Sequence, residues 1–329
     1  MCPSRRQGSA PTTSGLARPR RGDPEPLYEQ VRASVERLAL DAPLGDESPL
    51  PSEAELGRRL GVSRGTLRHA LDDLEAQGLL RRERGRGTFV NPAARLRRVV
   101  WQRLVPVARP DSRFDLDFSA FVPDYEGSRE CAERLRGQPE YDDARLMFVA
   151  PDNNLVALRR QALADGKRLV VATFGIRRGF VLLEHVPPEH QELAATLDGL
   201  ESSGRPLTLA ELRASEPVDL VVTGAAAVTR SGVHFGKGHG YFDLEWGLLR
   251  ELGLADPHTP VAVVVHDVQV VDDPVPHAPN DCVADLIVTP TTLLRGDPDL
   301  EKPPGLFWDR IGAAHLASIP YLAELATAG

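Results

Sequence analysis

The chain is 329 residues long, 42% hydrophobic and 26% charged, a composition that fits a folded protein with room for two cores and excludes global disorder. No run of 18 apolar residues occurs, which excludes a simple transmembrane helix, and the basic N-terminus lacks the apolar stretch of a secretory signal. The formal net charge of −8 hides a division: residues 1–98 hold 18 arginines, no lysine and 13 acidic residues, whereas the remainder holds 21 basic and 34 acidic ones. A basic first third on an acidic body points to a local polyanion-binding surface.

Residues 1–22 read as a disordered arm, either a solvated tail or one whose arginines touch phosphates. From 23 to 91 the pattern is that of a small DNA-reading domain. Leu27, Val31, Val35 and Leu38 recur at helical spacing. Pro43, Gly45 and Pro49 then break the chain. Ser52 and Glu55 have the spacing of a reciprocal capping box, opening a short helix that Gly61 stops. Ser63 caps the next helix, which runs to Gly78. Helix, short glycine-bearing turn, helix is the helix-turn-helix spacing. LLRRE and TFV, separated by RGRG, then read as two strands of a wing. Arg64, Thr66 and Arg68 lie where a recognition helix meets base edges in a major groove. Arg84, Gly85 and Arg86 form a wing tip suited to close approach to the backbone or minor groove.

The segment PLPSEAELGRRLGVSRGTLRHALDDLEAQGLLRRERGRGTFV resembles the GntR-family winged helix-turn-helix domain over roughly residues 27–90. The resemblance implies DNA contacts at Arg64, Thr66, Arg68 and the wing residues around Gly85. Two positions depart from the family pattern: Ala54 stands where a basic residue is common, and Gly65 where a hydroxyl residue is common.

Residues 92–100, within and just after the stretch NPAARLRR (91–98), read as a linker, being polar and proline-bearing. Over 101–329, the runs 146–150, 168–173, 180–184, 219–224, 261–267 and 286–290 read as buried strands. Residues 128–136, 153–164, 243–252 and 307–326 read as helices. This alternation predicts an α/β open-sheet domain, mostly parallel, following the α+β winged domain. Ligands in such sheets sit beyond the carboxyl ends of the strands. There Gly236, Gly238 and Gly240 alternate with Lys237 and His239 before Tyr241. Lysine is rare in this chain (Lys167, Lys237 and Lys302 against 36 arginines), which singles out Lys237. The loop either wraps phosphates with its backbone N–H groups or is structural. Asp243, Asp267, Asp281 and Asp285 lie near strand ends, either as metal ligands or as turn caps or solvent-facing groups, while His234, His239 and His266 lack metal-site spacing. Cys2, Cys131 and Cys282 show no paired spacing, which fits a reducing cytoplasm and gives no zinc site.

VPDYEGSRECAERL, DLVVTG, GKGHGYFDLE, VVVHDVQVV, LIVTPTTLLR and KPPGLFW together resemble the 5-formyltetrahydrofolate cyclo-ligase family, in the branch of methenyltetrahydrofolate synthetase domain-containing proteins. The resemblance implies ATP with Mg²⁺, a reduced folate, ATP phosphates on Gly236–Tyr241 with Lys237 as the catalytic cation, and Mg²⁺ at Asp243 and Asp281. Three features depart from that family: Leu244 and Glu245 replace the arginine after the loop aspartate, Asn280 stands where histidine is usual, and no basic helix is recognisable near Trp101–Val107. The expected function is therefore a cytoplasmic, nucleoid-associated bacterial regulator, a homodimer on operator DNA, whose cyclo-ligase-like domain binds a nucleotide or folate-like effector. The alternatives are a bifunctional protein with ATP-dependent cyclo-ligase activity and a second domain that only dimerises.

Overall fold

The structure is a computed structural model describing residues 26–41, 48–238, 240–272 and 277–328, together with Pro19. The arm expected over 1–22, apart from Pro19, lies outside the described residues, as do Pro43, Gly45 and His239. The chain divides into two compact units, Met1–Val99 and Val100–Gly329. Among the described residues no helix is long and apolar enough to cross a membrane.

In the first unit, α1 (Leu27–Asp41) packs on α3 (Arg64–Ala76), with α2 (Glu53–Leu60) between them in sequence. Val31 and Val35 of α1 share one core with Leu56 and Leu60 of α2 and Leu67, Leu71 and Leu74 of α3. All seven are at most 2% exposed, so the spacing of apolar residues alone builds the bundle. Ser52 Oγ accepts from Glu55 N–H at 3.3 Å, but the Glu55 carboxylate pairs with Arg59 one turn on instead of returning to the cap. Only half of the expected reciprocal box is formed, because an i,i+4 cation competes for that carboxylate. Gly61 ends α2 at φ 69°, its N–H donating to Gly57 O at 2.9 Å.

Ser63 Oγ accepts from Thr66 N–H at 3.1 Å and lies 2.9 Å from Thr66 Oγ1. Ser63→Ala leaves that amide without its cap, and urea unfolding should show a loss of about 1 kcal/mol. An unchanged midpoint would mean that water replaces the hydroxyl at no cost. After α3, β1 (Leu80–Glu83) and β2 (Gly87–Val90) pair antiparallel with Glu83 opposite Gly87. The residues between them form the wing tip, where Gly85 takes φ 77°, a left-handed conformation suited to glycine.

Residues 92–100, expected to be a linker, belong instead to helix α4 (Pro92–Leu104). Asn91 Oδ1 accepts from Ala93 N–H at 3.1 Å and Pro92 opens the first turn. The Asn-Pro pair that reads as a turn is thus a helix start. Leu96, Val100 and Leu104 fall four residues apart and are all at most 1% exposed.

The second unit is built on an eight-stranded sheet. In chain order its strands are β3 (Leu146–Val149), β4 (Arg168–Ala172), β5 (Phe180–Leu183), β6 (Arg205–Pro206), β7 (Leu220–Thr223), β10 (Val261–Val264), β12 (Leu286–Val288) and β13 (Leu293–Arg295). Across the sheet they run β13-β12-β10-β7-β3-β4-β5-β6. The five strands from β12 to β4 are parallel, with antiparallel pairs only at the two margins. Successive residues of each strand face opposite sides. Phe148, Val170, Val221 and Val263 enter one core and Met147, Val149, Val171 and Val222 the other. Burial on both faces explains why these strands read as continuous apolar runs rather than alternating ones.

The faces are covered by helices that include α5 (Ser128–Arg136), α6 (Val156–Ala164) and α7 (Tyr241–Glu251). A smaller sheet sets β8 (Ala227–Thr229) between β9 (His234–Phe235) and β11 (Val270–Val271). It delivers the chain from β7 to the glycine loop. The single helix expected over 307–326 is broken: a 3₁₀ turn (Trp308–Arg310) and two short helices (Ala313–Ser318 and Pro320–Ala328) replace it, with Gly312 and Pro320 at the breaks.

Candidate functional site

In the first unit the predicted base-reading side chains stand at the start of α3. Arg64 is 78% and Arg68 50% exposed, and both approach Glu53 Oε2, Arg64 Nε at 3.7 Å and Arg68 Nη2 at 3.4 Å. One carboxylate at the first residue of α2 thus faces both guanidinium groups. Thr66 is half-buried and engaged with the Ser63 cap, so it helps to form the helix end that Arg64 and Arg68 project from. On the wing, Arg86 pairs with Glu83 and lies, with Arg81, over the Phe89 ring at 5.4 and 5.0 Å. Arg84 is exposed at the tip and makes no hydrogen bond or ion pair with a described residue.

In the second unit, β3 and β7 are neighbours, but the chain continues from β3 towards β4 on one side and from β7 towards β10 on the other. Such a divergence opens a crevice at the carboxyl ends of the strands. There the structure has a cleft of about 760 Å³, its mouth included. Pro151 and Asp152 follow β3, Gly224 and Ala225 follow β7, and the glycine loop with the first turns of α7 forms the opposite wall. Phe121, Phe174, Tyr241 and Phe242 add aromatic surface. Gly224 tolerates no side chain, because a Cβ there would meet Asn154 Oδ1 at 2.8 Å and Asp152 Oδ2 at 3.1 Å.

Of the predicted loop residues, Gly236, Lys237, Gly240 and Tyr241 line this cleft. Gly238, at φ 105°, lines a second one with Gly240, Asp243, Leu244, Asn280, Phe307 and Arg310. The glycine loop therefore separates two clefts. The family resemblance places an arginine where Leu244 stands, and here Arg310 brings a guanidinium into that second cleft from a distant part of the chain. His239 lies outside the described residues.

The electrostatics of the main cleft are set by one cation among several carboxyls. Lys237 is the only lysine or arginine among the described residues lining it, facing Asp152, Asp243 and Glu245. Lys237 Nζ lies 3.5 Å from Asp152 Oδ1, with the two side chains 17% and 13% exposed. Asp152 Oδ2 also accepts from Gly224 N–H at 3.2 Å. Burial pushes the Asp243 carboxyl up to about 7, and Asp281 adds to the rise, while the hydrogen bond from Cys282 N–H opposes it. Burial raises Glu245 well above the ordinary carboxylate range, and the field of Asp152 adds to this. Burial depresses the pKa of His234; its Nε2–H donates to Gly224 O at 3.1 Å, so the ring is neutral near pH 7.

Beneath the cleft floor the fully buried Arg159 donates to the carbonyls of Ala150, Asp152 and Ala195 at 2.7, 3.0 and 2.7 Å. Burial lowers its pKa to about 10, which leaves it charged. Arg159 thereby fixes the turn that presents Asp152.

Asp243 and Asp281 each give one carboxylate oxygen to a backbone cap. Asp243 Oδ1 is taken by Cys282 N–H at 3.0 Å and Asp281 Oδ2 by Ala278 N–H at 2.7 Å. Among the described residues no group of three His, Cys, Asp or Glu side chains is arranged to hold a metal. Both carboxylates serve as backbone caps, the other role open to them on sequence grounds. Asp285 accepts from Val261 N–H at 2.7 Å and pairs with Lys302, also a structural use. Asp152, Glu245 and His234 were missed as site residues. Asp152 lies two residues past a predicted strand, a position that strand-end logic marks for scrutiny.

Residues 93–290 match the model of the 5-formyltetrahydrofolate cyclo-ligase family. The chain belongs to that family. Residues 27–90 match the model of bacterial regulatory proteins of the gntR family, so a GntR-type domain precedes the cyclo-ligase-family domain. The methenyltetrahydrofolate synthase domain-containing protein of Mus musculus is 33% identical over 211 residues, covering 62% of this chain and 55% of that protein. The chain thus spans about half the length of the curated cyclo-ligase-type relatives it matches. The HTH-type transcriptional repressor NagR of Bacillus subtilis is 43% identical over 68 residues, which cover 21% of this chain and 28% of the repressor. Among solved structures, the 5,10-methenyltetrahydrofolate synthetase of Aquifex aeolicus is similar at 19% identity and a TM-score of 0.42, covering 63% of this chain and 94% of that one.

Proposed function

We propose that the chain is a transcription regulator that reads operator DNA through α3 and the wing, and whose cyclo-ligase-family domain holds a nucleotide or folate-like effector in the cleft between the ends of β3 and β7. The observation carrying this reading is the exposed pair Arg64 and Arg68 at the capped N-terminus of α3, in a chain that also has a cleft built at a strand switch point. Two half-sites read by a homodimer fit this class of domain. Within the cleft Lys237 supplies a positive charge beside glycines whose backbone can approach a phosphate closely. No Mg²⁺ ligand role is assigned to Asp243 or Asp281.

The test is fluorescence anisotropy on an operator selected from random duplexes, with ATP·Mg²⁺ and 5-formyltetrahydrofolate added singly and together. A bound effector should change operator affinity by about 5- to 150-fold, the ordinary range of coupling between sites. Lys237→Ala should remove that response while leaving ligand-free DNA affinity unchanged. If calorimetry detects binding of neither compound to the full chain, the effector part of this reading fails and the second domain is left as a dimerisation scaffold.

A second reading, a working ATP-dependent cyclo-ligase, is favoured by one observation: Asp243, held at about 7 by burial, lines the same cleft as Lys237 and can give or take a proton near neutral pH. ATP would supply the phosphoryl group; the residues of this chain would orient the substrate and exclude water. Following methenyltetrahydrofolate formation with ATP and Mg²⁺ decides it.

A further inference from the structure

Glu245 stands apart from every other polar group of the main cleft. It is 3% exposed and lines the cleft from the first turns of α7. The other groups are engaged: Asp152 with Lys237 and Gly224 N–H, Asp243 with Cys282 N–H, and His234 with Gly224 O. Glu245 makes no hydrogen bond or ion pair with any described residue. A carboxyl withdrawn from water without a partner is costly, and native proteins rarely retain one without a use. Nothing in the fold requires it, since its neighbours on α7, Leu244 and Trp246, are apolar and buried. Around it the cleft offers aromatic surface from Phe174, Tyr241 and Phe242, which suits a flat group lying against the rings.

We propose that Glu245 receives the N–H donors of a planar nitrogen-bearing group on the ligand, and so decides which molecules the cleft accepts. The inference rests on the reading that this cleft holds a small molecule, and adds which edge of that molecule faces α7. A cationic donor edge draws the buried carboxyl into its charged form and satisfies both oxygens, an amide edge pairs with the neutral carboxyl through one N–H and one C=O, and an anionic edge meets the field of Asp152 and is disfavoured. Lys237, paired with Asp152, lies on the glycine-loop wall and remains for a different part of the same ligand.

Three probes of one shape isolate the effect: benzamidine, a cationic N–H donor; benzamide, a neutral one; and benzoate, an anion. Each is titrated into the full chain by saturation-transfer NMR, with wild type, Glu245→Gln and Glu245→Leu. At least one N–H donor should bind the wild type saturably, and at least about tenfold more tightly than benzoate, the scale of a hydrogen bond to a charged or buried group. Preference for benzamidine identifies a cationic ligand and preference for benzamide a neutral one. Glu245→Gln, which keeps the side-chain shape, should weaken the preferred donor severalfold. Glu245→Leu should abolish its binding while thermal unfolding shows the domain intact.

Benzoate binding as well as the donors, donor binding unchanged in both variants, or no saturable donor binding to the wild type would each overturn the assignment. Should the donors behave as expected while ATP and 5-formyltetrahydrofolate both fail to bind, Glu245 keeps its role and only the effector named above falls.

Discussion

Arg64→Ala combined with Arg68→Ala should lower operator affinity by roughly 30- to 10⁴-fold, since each bidentate arginine–guanine contact discriminates by about 1–3 kcal/mol. Both side chains are more than half or half exposed at the start of α3 and both face Glu53, so they must exchange that carboxylate for a base edge. The exchange costs little, because exposed ion pairs contribute only about 0–1 kcal/mol. The double variant should lose most of its preference for operator over random duplex. Arg84→Ala, at the wing tip, should behave differently, weakening binding to all duplexes alike and reducing the salt dependence by about one phosphate contact. Anisotropy titrations at several salt concentrations separate the two cases. Equal losses on operator and random DNA for the α3 variant would move Arg64 and Arg68 from base reading to phosphate contact.

The second large effect is a pH dependence of stability set by Asp243. Its carboxyl has an ordinary value of 3.8 and is held at about 7 in the folded chain, chiefly by burial and secondly by Asp281, against the Cys282 N–H bond that favours the charged form. Between those two values the folded chain keeps a proton that the unfolded chain has lost. Stability from this group is therefore present at low pH and falls as pH rises, the loss being complete above 7. Between pH 5 and pH 8 the decline should be roughly 2–3 kcal/mol. Asp243→Asn retains an acceptor for Cys282 N–H and cannot ionise, so its unfolding should lack this decline and the variant should overtake the wild type at pH 8. Urea unfolding of the second unit at pH 5, 6, 7 and 8 measures the difference directly. Parallel pH curves for the two proteins would show that Asp243 ionises as freely when folded as when unfolded.

The parts of this fold that were readable from the residues are those in which one local rule dominates. The strands β3, β4, β5, β7, β10 and β12 each lie within a predicted apolar run, because burial on both faces leaves polar residues only at their ends, Arg168 in β4 and Thr223 in β7. The helices α1, α2 and α3 were readable because Ser63, Gly61 and the apolar spacing agree with one another. The misreadings came from residues with two uses. Asn91 and Pro92 make a turn in one context and start a helix in another, and only the burial of Leu96 and Val100 decides between them. Glu55 fits a capping box but Arg59 claims it.

The site followed the same pattern. Alternating glycines and a rare lysine marked the loop, yet Asp152 is 85 residues from Lys237 in sequence and reaches it only because β3 and β7 are adjacent in the sheet. For Asp243 and Asp281 the family resemblance implied a Mg²⁺ role, and the backbone caps they form came from tertiary contacts that the sequence does not display. Glu245 was visible only as a departure from a family pattern, and its isolation from partners is a property of the folded interior.

The stretch after residue 290 has a bearing on how the second unit can be handled. Trp246 Nε1 donates to Pro303 O at 2.9 Å, Leu306 closes over Gly247, and the Tyr321 hydroxyl accepts from Phe180 N–H at 2.9 Å while donating to Leu207 O. A polypeptide cut where the family match stops would strip the cover from the middle of α7 and unlatch the margin of the sheet at β5. Autonomous folding should therefore require the chain to run on to at least Leu322, whose side chain is fully enclosed, and shorter versions should aggregate or be degraded.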